Sequence, residues 1–203
     1  MGYSNFSLGT VIKQFSLTLN DKHDLFADVP EIQISDYLNI TLQYNLPLAS
    51  EINTEKSRSE MLISPILLEV RRSLQNQVSL FSGREFNVEP DQGLNGVCDF
   101  LLSLSDSQLV ISAPVVVIVE AKKEDIIGGL GQCIAAMLGA QRFNQQEQNP
   151  LETIYGVVTS GTAWRFLKLE QSTVFVDRVE YYINQVGKIL GILVRTISIG
   201  LST

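Results

Sequence analysis

The chain has 203 residues and a net charge of −7, with 45% hydrophobic and 18% charged residues. This length suits one sizeable core, and this composition indicates a globular rather than a disordered chain. The acidic balance argues against a protein that coats nucleic acid by bulk charge. It does not exclude an enzyme that binds nucleic acid through a local site.

Cysteine, histidine and hydropathy patterns exclude several further classes. Two cysteines, Cys98 and Cys133, are too few for a disulfide scaffold, and one histidine cannot build a Cys/His zinc cluster. The sequence therefore predicts a cytoplasmic protein. No window reaches the ~18 uninterrupted apolar residues of a membrane helix, so a membrane is not an expected partner.

The first third of the chain predicts helices. Residues 1–30 carry weak signals, with a short helix over 11–15. Residues 34–48 fit either a helix or, by near-alternation, a strand; we favour a helix that ends at Pro47. Residues 54–75 form a clearer helix, because acids come early and Arg71 and Arg72 come late. Pro65 should kink this helix or split it at Ser64.

The middle and end of the chain predict a mixed α/β core. Strands are expected over 84–89, 97–102 and 115–123, with a turn over 90–96. A helix over 126–143, strands over 154–159 and 163–169 and an edge strand over 174–176 follow. The C-terminal helix, 181–199, has a long apolar stripe that either completes the core or forms a homodimer interface. We expect one domain over 1–203, with an N-terminal extension (1–53), a core (about 54–176) and this helix.

The strand over 115–123 ends in an unusual group of charges. Five branched apolar residues precede Glu120-Ala121-Lys122-Lys123, and strand alternation puts Glu120 and Lys122 on one face. Asp99 interrupts an apolar run in the preceding strand, which should be a neighbour. Two converging carboxylates suit a hard divalent cation, and a lysine beside them can hold or deprotonate a water. These groups predict phosphodiester hydrolysis.

Asp99 followed by Glu120-Ala121-Lys122, with a helix before and a helix after, resembles the PD-(D/E)xK nuclease superfamily, which includes the restriction endonucleases. The resemblance implies a restriction endonuclease-like core of helix, three strands, helix and strand. It also implies Mg²⁺ or Mn²⁺ held by Asp99, Glu120 and the carbonyl of Ala121, with Lys122 catalytic. The implied partner is nucleic acid, with DNA expected.

Two further positions extend the resemblance. Residues 59–67 are similar to the start of the nuclease region of type I restriction enzymes, and Glu60 there corresponds to a helix glutamate that joins the metal site. Gln132 matches a glutamine that some subfamilies carry on the helix after the third strand. Ala136 departs from the aromatic often found four residues later.

Simpler explanations compete with each assignment. Glu120 and Lys122 could mark a strand end in solvent, Glu60 an exposed acid near Lys56, and Gln132 a solvated helix face. The literal Pro90-Asp91 pair lies in a turn cluster, where both residues are common, so Asp99 is the preferred metal ligand. At the level of function, the alternative is a nuclease-fold module that binds a protein or acts as a scaffold without cutting.

Overall fold

A computed structural model describes residues 2–105, 107–149 and 151–201. It contains a seven-stranded mixed sheet with helices on both faces, which confirms the α/β class. The helices are α1 (Leu8–Gln14), α2 (Asp36–Ile52), α3 (Glu55–Arg58), α4 (Ser64–Ser73), α5 (Ile126–Gln146) and α6 (Val186–Leu201). The strands are β1 (Thr18–Asn20), β2 (Ser79–Glu85), β3 (Val97–Ser103), β4 (Val115–Ala121), β5 (Thr153–Thr159), β6 (Ala163–Glu170) and β7 (Thr173–Tyr182).

The strand order is β1-β7-β6-β5-β4-β3-β2. Strands β2, β3 and β4 form an antiparallel meander, and α5 then carries the chain across the sheet so that β5 runs parallel to β4. All seven residues of β4 are buried. A run of branched apolar residues suits this central position, because helices cover both faces of the strand.

Two apolar clusters hold the sheet between its helices. One joins α2, α4 and α6 to one face, and the other joins α1 and α5 to the opposite face. Residues 2–53 contribute to both clusters, with Tyr3 and Phe6 on the α5 side and Leu38 and Leu42 on the α4 side. This segment is therefore packed as part of the same core as the rest of the chain.

The prediction that Pro47 ends its helix is wrong. Helix α2 continues to Ile52 with Pro47 inside it. Proline removes the hydrogen bond that Gln43 would receive, but Pro47 and Gln43 are both exposed. Water can solvate the Gln43 carbonyl, which lowers the cost of the missing donor.

The sequence predicts that Pro65 kinks or splits the 54–75 helix; in the structure the helical turns continue from Glu55 to Ser73, with a change of hydrogen-bonding pattern just before Pro65. Ser59–Ile63 forms a π-helical turn between α3 and α4, and Pro65 lies in the first turn of α4. Because Pro65 has no N–H, it cannot donate to Met61 O four residues earlier. The Asn45 side chain from α2 donates to Met61 O at 2.9 Å instead. The carbonyl group that Pro65 leaves without a donor thus receives its hydrogen bond from a neighbouring helix.

Two strand predictions are corrected. The strand expected over 84–89 lies at Ser79–Glu85, because buried Ser79 and Phe81 set its inner face. Phe86 and Val88 make only hairpin hydrogen bonds to Gly96 and Leu94. The edge strand expected over 174–176 extends over Thr173–Tyr182 and is internal, since β1 pairs with it in parallel and forms the sheet edge.

The apolar stripe of α6 completes the core, which is one of the two alternatives that the sequence left open. Its buried residues include Ile189, Leu190, Leu193 and Ile197, and they belong to the cluster on the α4 side. A homodimer through this helix stays a prediction. Within the described ranges, none of the helices has the length and hydropathy needed to cross a membrane.

Candidate active site

The register of β3 and β4 brings Asp99 and Glu120 together. Phe100 pairs with Val119 across the antiparallel ladder, and one step further this register puts Asp99 opposite Glu120. Glu120 faces α5, like Ile118 two residues earlier, and Asp99 lies at the end of β3, where it lines a depression on the α3 side and another on the α5 side. Asp99 Oδ2 accepts a hydrogen bond from the Ala121 N–H at 2.8 Å, which ties the two strand ends together.

Lys122 bridges the carboxylate of β4 and the first turns of α5. Its Nζ donates to Glu120 Oε1 at 2.6 Å and to Gln132 Oε1 at 3.2 Å. The lysine stem lies against Gly129, where a Cβ would stand 3.0 Å from Lys122 Cγ and 2.6 Å from Val158 Cγ1. Gly129 therefore leaves the space that Lys122 needs to reach both acceptors.

Burial and charge together shift the pKa of Glu120. Its side chain is 3% exposed, and this desolvation, reinforced by the negative charge of Asp99, raises its pKa to about 8 although Lys122 opposes the shift. Burial also raises the pKa of Asp99 above its usual value, against the hydrogen bond from Ala121 and the charge of Lys122. Two carboxyl groups therefore compete for ionisation in one low-dielectric site.

Lys122 is held in its charged form. Burial lowers its pKa, but the hydrogen bond and charge of Glu120 and the charges of Glu55 and Asp99 outweigh burial, so the pKa is raised. A lysine that stays protonated can donate hydrogen bonds and stabilise negative charge. Of the two roles expected from the sequence, holding a water fits this state better than deprotonating one.

A cavity of about 260 Å³ opens beside these strand ends. The sheet contributes Asp99 and Ala121 to its lining, and α3 and the π-helical turn contribute Glu55, Lys56 and Glu60. The Glu60 side chain is 63% exposed, and its Oε1 lies 3.8 Å from Lys56 Nζ. Glu60 thus borders the cavity and lies next to Lys56, as expected from the simpler explanation of an exposed acid near that lysine.

Sequence reasoning missed Glu55 as a residue of this site. Its charge raises the pKa of both Glu120 and Lys122. In the sequence Glu55 is one of several early acids of a predicted helix. Only the position of α3 across the cavity from the strand ends distinguishes it from Glu51 or Glu60.

The positions of Asp91 and Gln132 show how each of them lies relative to Asp99. Asp91 is exposed on a short 3₁₀ turn, Pro90–Gln92, and lines neither cavity that includes Asp99.

A second groove of about 490 Å³ is lined by Asp99, Gln132, Asn95 and the N-terminal residues 2–5. Asp99 is therefore accessible from two depressions, and Gln132 contacts one of them.

The donor chemistry fits a magnesium ion bound by few protein ligands. The part of the chain that the structure describes contains no group of three or more His, Cys, Asp or Glu side chains that could hold a metal ion. Mg²⁺ commonly takes only one or two carboxylates and fills its other positions with water and substrate phosphate. Asp99 and Glu120 would supply that pair, and a cation would offset the Asp99 charge that, after burial, raises the pKa of Glu120.

Comparisons of the chain with protein-family models, with curated proteins and with solved structures find no match in any of the three.

Proposed function

We propose that the protein is a metal-dependent nuclease with a restriction endonuclease-like core of the PD-(D/E)xK type, and that it hydrolyses phosphodiester bonds of nucleic acid, with DNA as the expected substrate. One observation carries the proposal: Asp99, Glu120 and Lys122 meet at the ends of two neighbouring strands. Burial raises the pKa of the central carboxyl group to about 8. Perturbed groups concentrate at functional sites, and Asp99, whose pKa burial also raises, lines the adjoining cavity.

The arrangement of the core supports the finer fold assignment. Helix α4 precedes the β2–β3–β4 meander, and α5 then leads to β5, which is parallel to β4. This is the order of helix, three strands, helix and strand that the resemblance implies. The acidic residues lie at the end of the third strand and opposite it on the second.

Each residue of the cluster has a role in the proposed reaction. Asp99, Glu120 and the Ala121 carbonyl would hold Mg²⁺ or Mn²⁺, and the bound ion would polarise the phosphate and compensate its charge. Lys122, kept protonated, orients the attacking water and stabilises the negative charge that develops on the phosphate. Gln132 fixes Lys122 through its Oε1.

Glu60 and Glu55, which precede β2, are the two alternatives for a further acidic residue of the site. Glu60 stays the predicted ligand of a second metal or of its water shell. Glu55 is the alternative that the electrostatics favour, because its charge acts directly on Glu120 and Lys122. Substituting each glutamate separately by glutamine would show which one affects metal dependence.

A second candidate function is a binding or scaffold module that has the nuclease fold but does not cut. The net charge of −7 favours it, as do the acids Glu55, Glu60 and Asp99 around a cavity with one lysine, Lys56. An unscreened phosphate backbone would be repelled by this rim unless a divalent cation were bound.

Cleavage assays on single-stranded and double-stranded DNA and RNA, with and without Mg²⁺, test the proposal. We expect Mg²⁺-dependent cleavage that falls at least ~100-fold in Asp99→Asn and in Lys122→Met, because each change removes a group that acts on the reacting phosphate. Asp91→Asn and Lys123→Met make the same chemical changes outside the cluster and should keep wild-type rates.

Calorimetric titration with Mn²⁺ separates the two functions. Binding by the wild type that disappears in Asp99→Asn supports the metal site. No Mn²⁺ binding together with no cleavage of any substrate favours the scaffold. Cleavage that survives unchanged in both Asp99→Asn and Lys122→Met would show that the site assignment is wrong although the activity is real.

A further inference from the structure

A small cavity lies between α6, the strands β5 and β6, and the loop over residues 24–30. We call it the α6 cavity; its volume is about 130 Å³, and its lining includes Leu25, Phe26, Val29, Tyr155, Lys168 and Arg195. Tyr155 packs against the core cluster on the α4 side, whereas Glu120 faces α5 and pairs three residues further along β5. The α6 cavity is therefore separate from the Asp99–Glu120 cluster.

Hydrogen bonds fix the loop that forms one wall of this cavity. The Lys188 Nζ of α6 donates to three backbone carbonyls of the loop: Phe26 O at 2.6 Å, Ala27 O at 3.2 Å and Val29 O at 2.5 Å. The Leu25 N–H donates to Oδ1 of the buried Asp177 in β7 at 3.2 Å. Because the wall is held from both the helix and the sheet, the cavity needs no ligand to keep its shape.

Three polar groups converge on the cavity with donors available. Within the described ranges, neither the Arg195 guanidinium nor the Tyr155 hydroxyl has a hydrogen-bond partner. The charge of Arg195 works against the raised pKa of Tyr155, so the two groups are within electrostatic reach of each other. Lys168 Nζ lies 2.9 Å from Glu170 Oε1 and 4.6 Å from the centre of the Phe175 ring. An ammonium group has three donors, so Lys168 can serve a ligand as well as Glu170.

The charges around the cavity favour a ligand with one negative charge. Glu170 pairs with Lys168, which leaves Arg195 as the unpaired cation of the described lining. Lys188 is close by, but the loop carbonyls occupy its three donors. Four acids lie on the adjoining segments without lining the cavity: Glu152, Glu170, Asp24 and Asp28. These acids oppose a dianion such as phosphate more strongly than a monoanion.

The buried wall of the cavity suits a flat apolar body. Phe26 and Val29 are 7% and 5% exposed, and the Phe26 and Tyr155 rings have their centres 6.4 Å apart with their planes at 51°. An apolar cavity of roughly 150 Å³ holds one benzene molecule, so the α6 cavity has room for about one ring. Small-molecule sites commonly combine such a wall with a few polar groups that fix the orientation of the ligand.

We propose that the α6 cavity binds a small organic monocarboxylate with an aromatic or branched apolar body of about the size of benzoate. The Arg195 guanidinium donates two parallel hydrogen bonds to the carboxylate, and the Tyr155 hydroxyl donates a third. Lys168 adds positive charge beside them, and the apolar body lies against Phe26 and Val29. The inference does not depend on the proposed nuclease activity.

Calorimetric titration of the full chain with benzoate tests the proposal. We expect saturable 1:1 binding with a dissociation constant on the order of 1 mM or lower. Three other probes separate the contributions: benzamide has the ring without the charge, acetate has the carboxylate without the ring, and inorganic phosphate has a higher charge without the ring. Each should bind at least ~10-fold more weakly than benzoate, because each lacks one of the contacts.

Matched variants locate the binding. Arg195→Met should weaken benzoate binding at least ~10-fold, because it removes the paired donors. Tyr155→Phe, which removes only the hydroxyl, should weaken it about threefold. Arg142→Met makes the same change at an exposed arginine of α5 and should leave binding unchanged. Arg195 is exposed as well, and thermal unfolding of each variant verifies that the fold is retained.

Three results would overturn the proposal. The first is no saturable heat with benzoate at about ten times the expected dissociation constant. The second is benzoate binding that Arg195→Met leaves intact, or that Arg142→Met weakens equally, since the ligand would then lie elsewhere or bind by general charge. The third is benzamide or inorganic phosphate binding as tightly as benzoate, because the carboxylate or the apolar wall would then play no part.

Discussion

Replacing Glu120 by glutamine should stabilise the fold at neutral and alkaline pH. The side chain is 3% exposed, and its pKa of about 8 lies well above the ordinary 4.5. Folding therefore disfavours the ionised form. At 1.36 kcal/mol per pKa unit, the difference in unfolding free energy reaches ~3 kcal/mol at pH 7 and ~5 kcal/mol above pH 8. Glutamine has no charge to bury and can still accept the Lys122 hydrogen bond.

The direction of the pH dependence follows from proton binding. Below pH 4.5 the Glu120 carboxyl group is neutral in both the folded and the unfolded chain. The unfolding free energies of wild type and Glu120→Gln should therefore depend on pH in the same way. Between pH 4.5 and 8 the unfolded chain releases this proton while the folded chain keeps it, so the wild type loses stability as pH rises. Above pH 8 the folded carboxyl group ionises too, and the loss levels off.

Urea unfolding at pH 4.5, 6, 7 and 8.5 measures this difference directly. The stability advantage of Glu120→Gln should grow across the series, and an advantage that is flat with pH would refute the reasoning. Adding Mg²⁺ at pH 8.5 tests the proposed metal independently. The ion should raise the midpoint of the wild type, which offers two carboxylates, and should have little effect on the variant.

Two further substitutions test the packing that supports the site. Gly129→Ala should displace Lys122 and lower the proposed Mg²⁺-dependent activity at least tenfold, because the new methyl group would meet the lysine stem and Val158 at 3.0 Å or less; Gly9→Ala, whose methyl group would meet nothing within 4 Å, should leave activity and stability intact. Asn45→Ala should cost ~1–3 kcal/mol of unfolding free energy, because it leaves the carbonyl opposite Pro65 unsatisfied. The same change in a Pro65→Ala background should cost less, since the restored N–H can donate to that carbonyl, and equal costs in both backgrounds would contradict this account.

The sequence was most informative where one residue type was out of place. Asp99 and Glu120 interrupt apolar strands, and strand alternation predicted that Glu120 and Lys122 share a face. In the structure Lys122 Nζ lies 2.6 Å from Glu120 Oε1. Local patterns were sufficient here because a strand fixes the relative directions of side chains two residues apart. The catalytic role of these groups stays a prediction.

Features that depend on distant parts of the chain could not be predicted. The role of Asn45 depends on a carbonyl 16 residues further along the chain. Glu55 differs from its neighbouring acids only because α3 lies across the cavity from the ends of β3 and β4. Each of these contacts joins elements whose relative position no local pattern encodes.

The pairing of β1 with β7 has a consequence for the exposed edge of the sheet. Strand β1 has three residues, whereas β7 has ten, and the two pair in parallel from Thr18–Thr173 to Asn20–Phe175. A very short outer strand offers other molecules little backbone to pair with. Without β1, the main-chain donors and acceptors that β7 now shares with it would become a template for strand addition by another chain. The three residues of β1 therefore cover the backbone of residues 173–175, the start of β7, against strand addition at that part of the sheet edge.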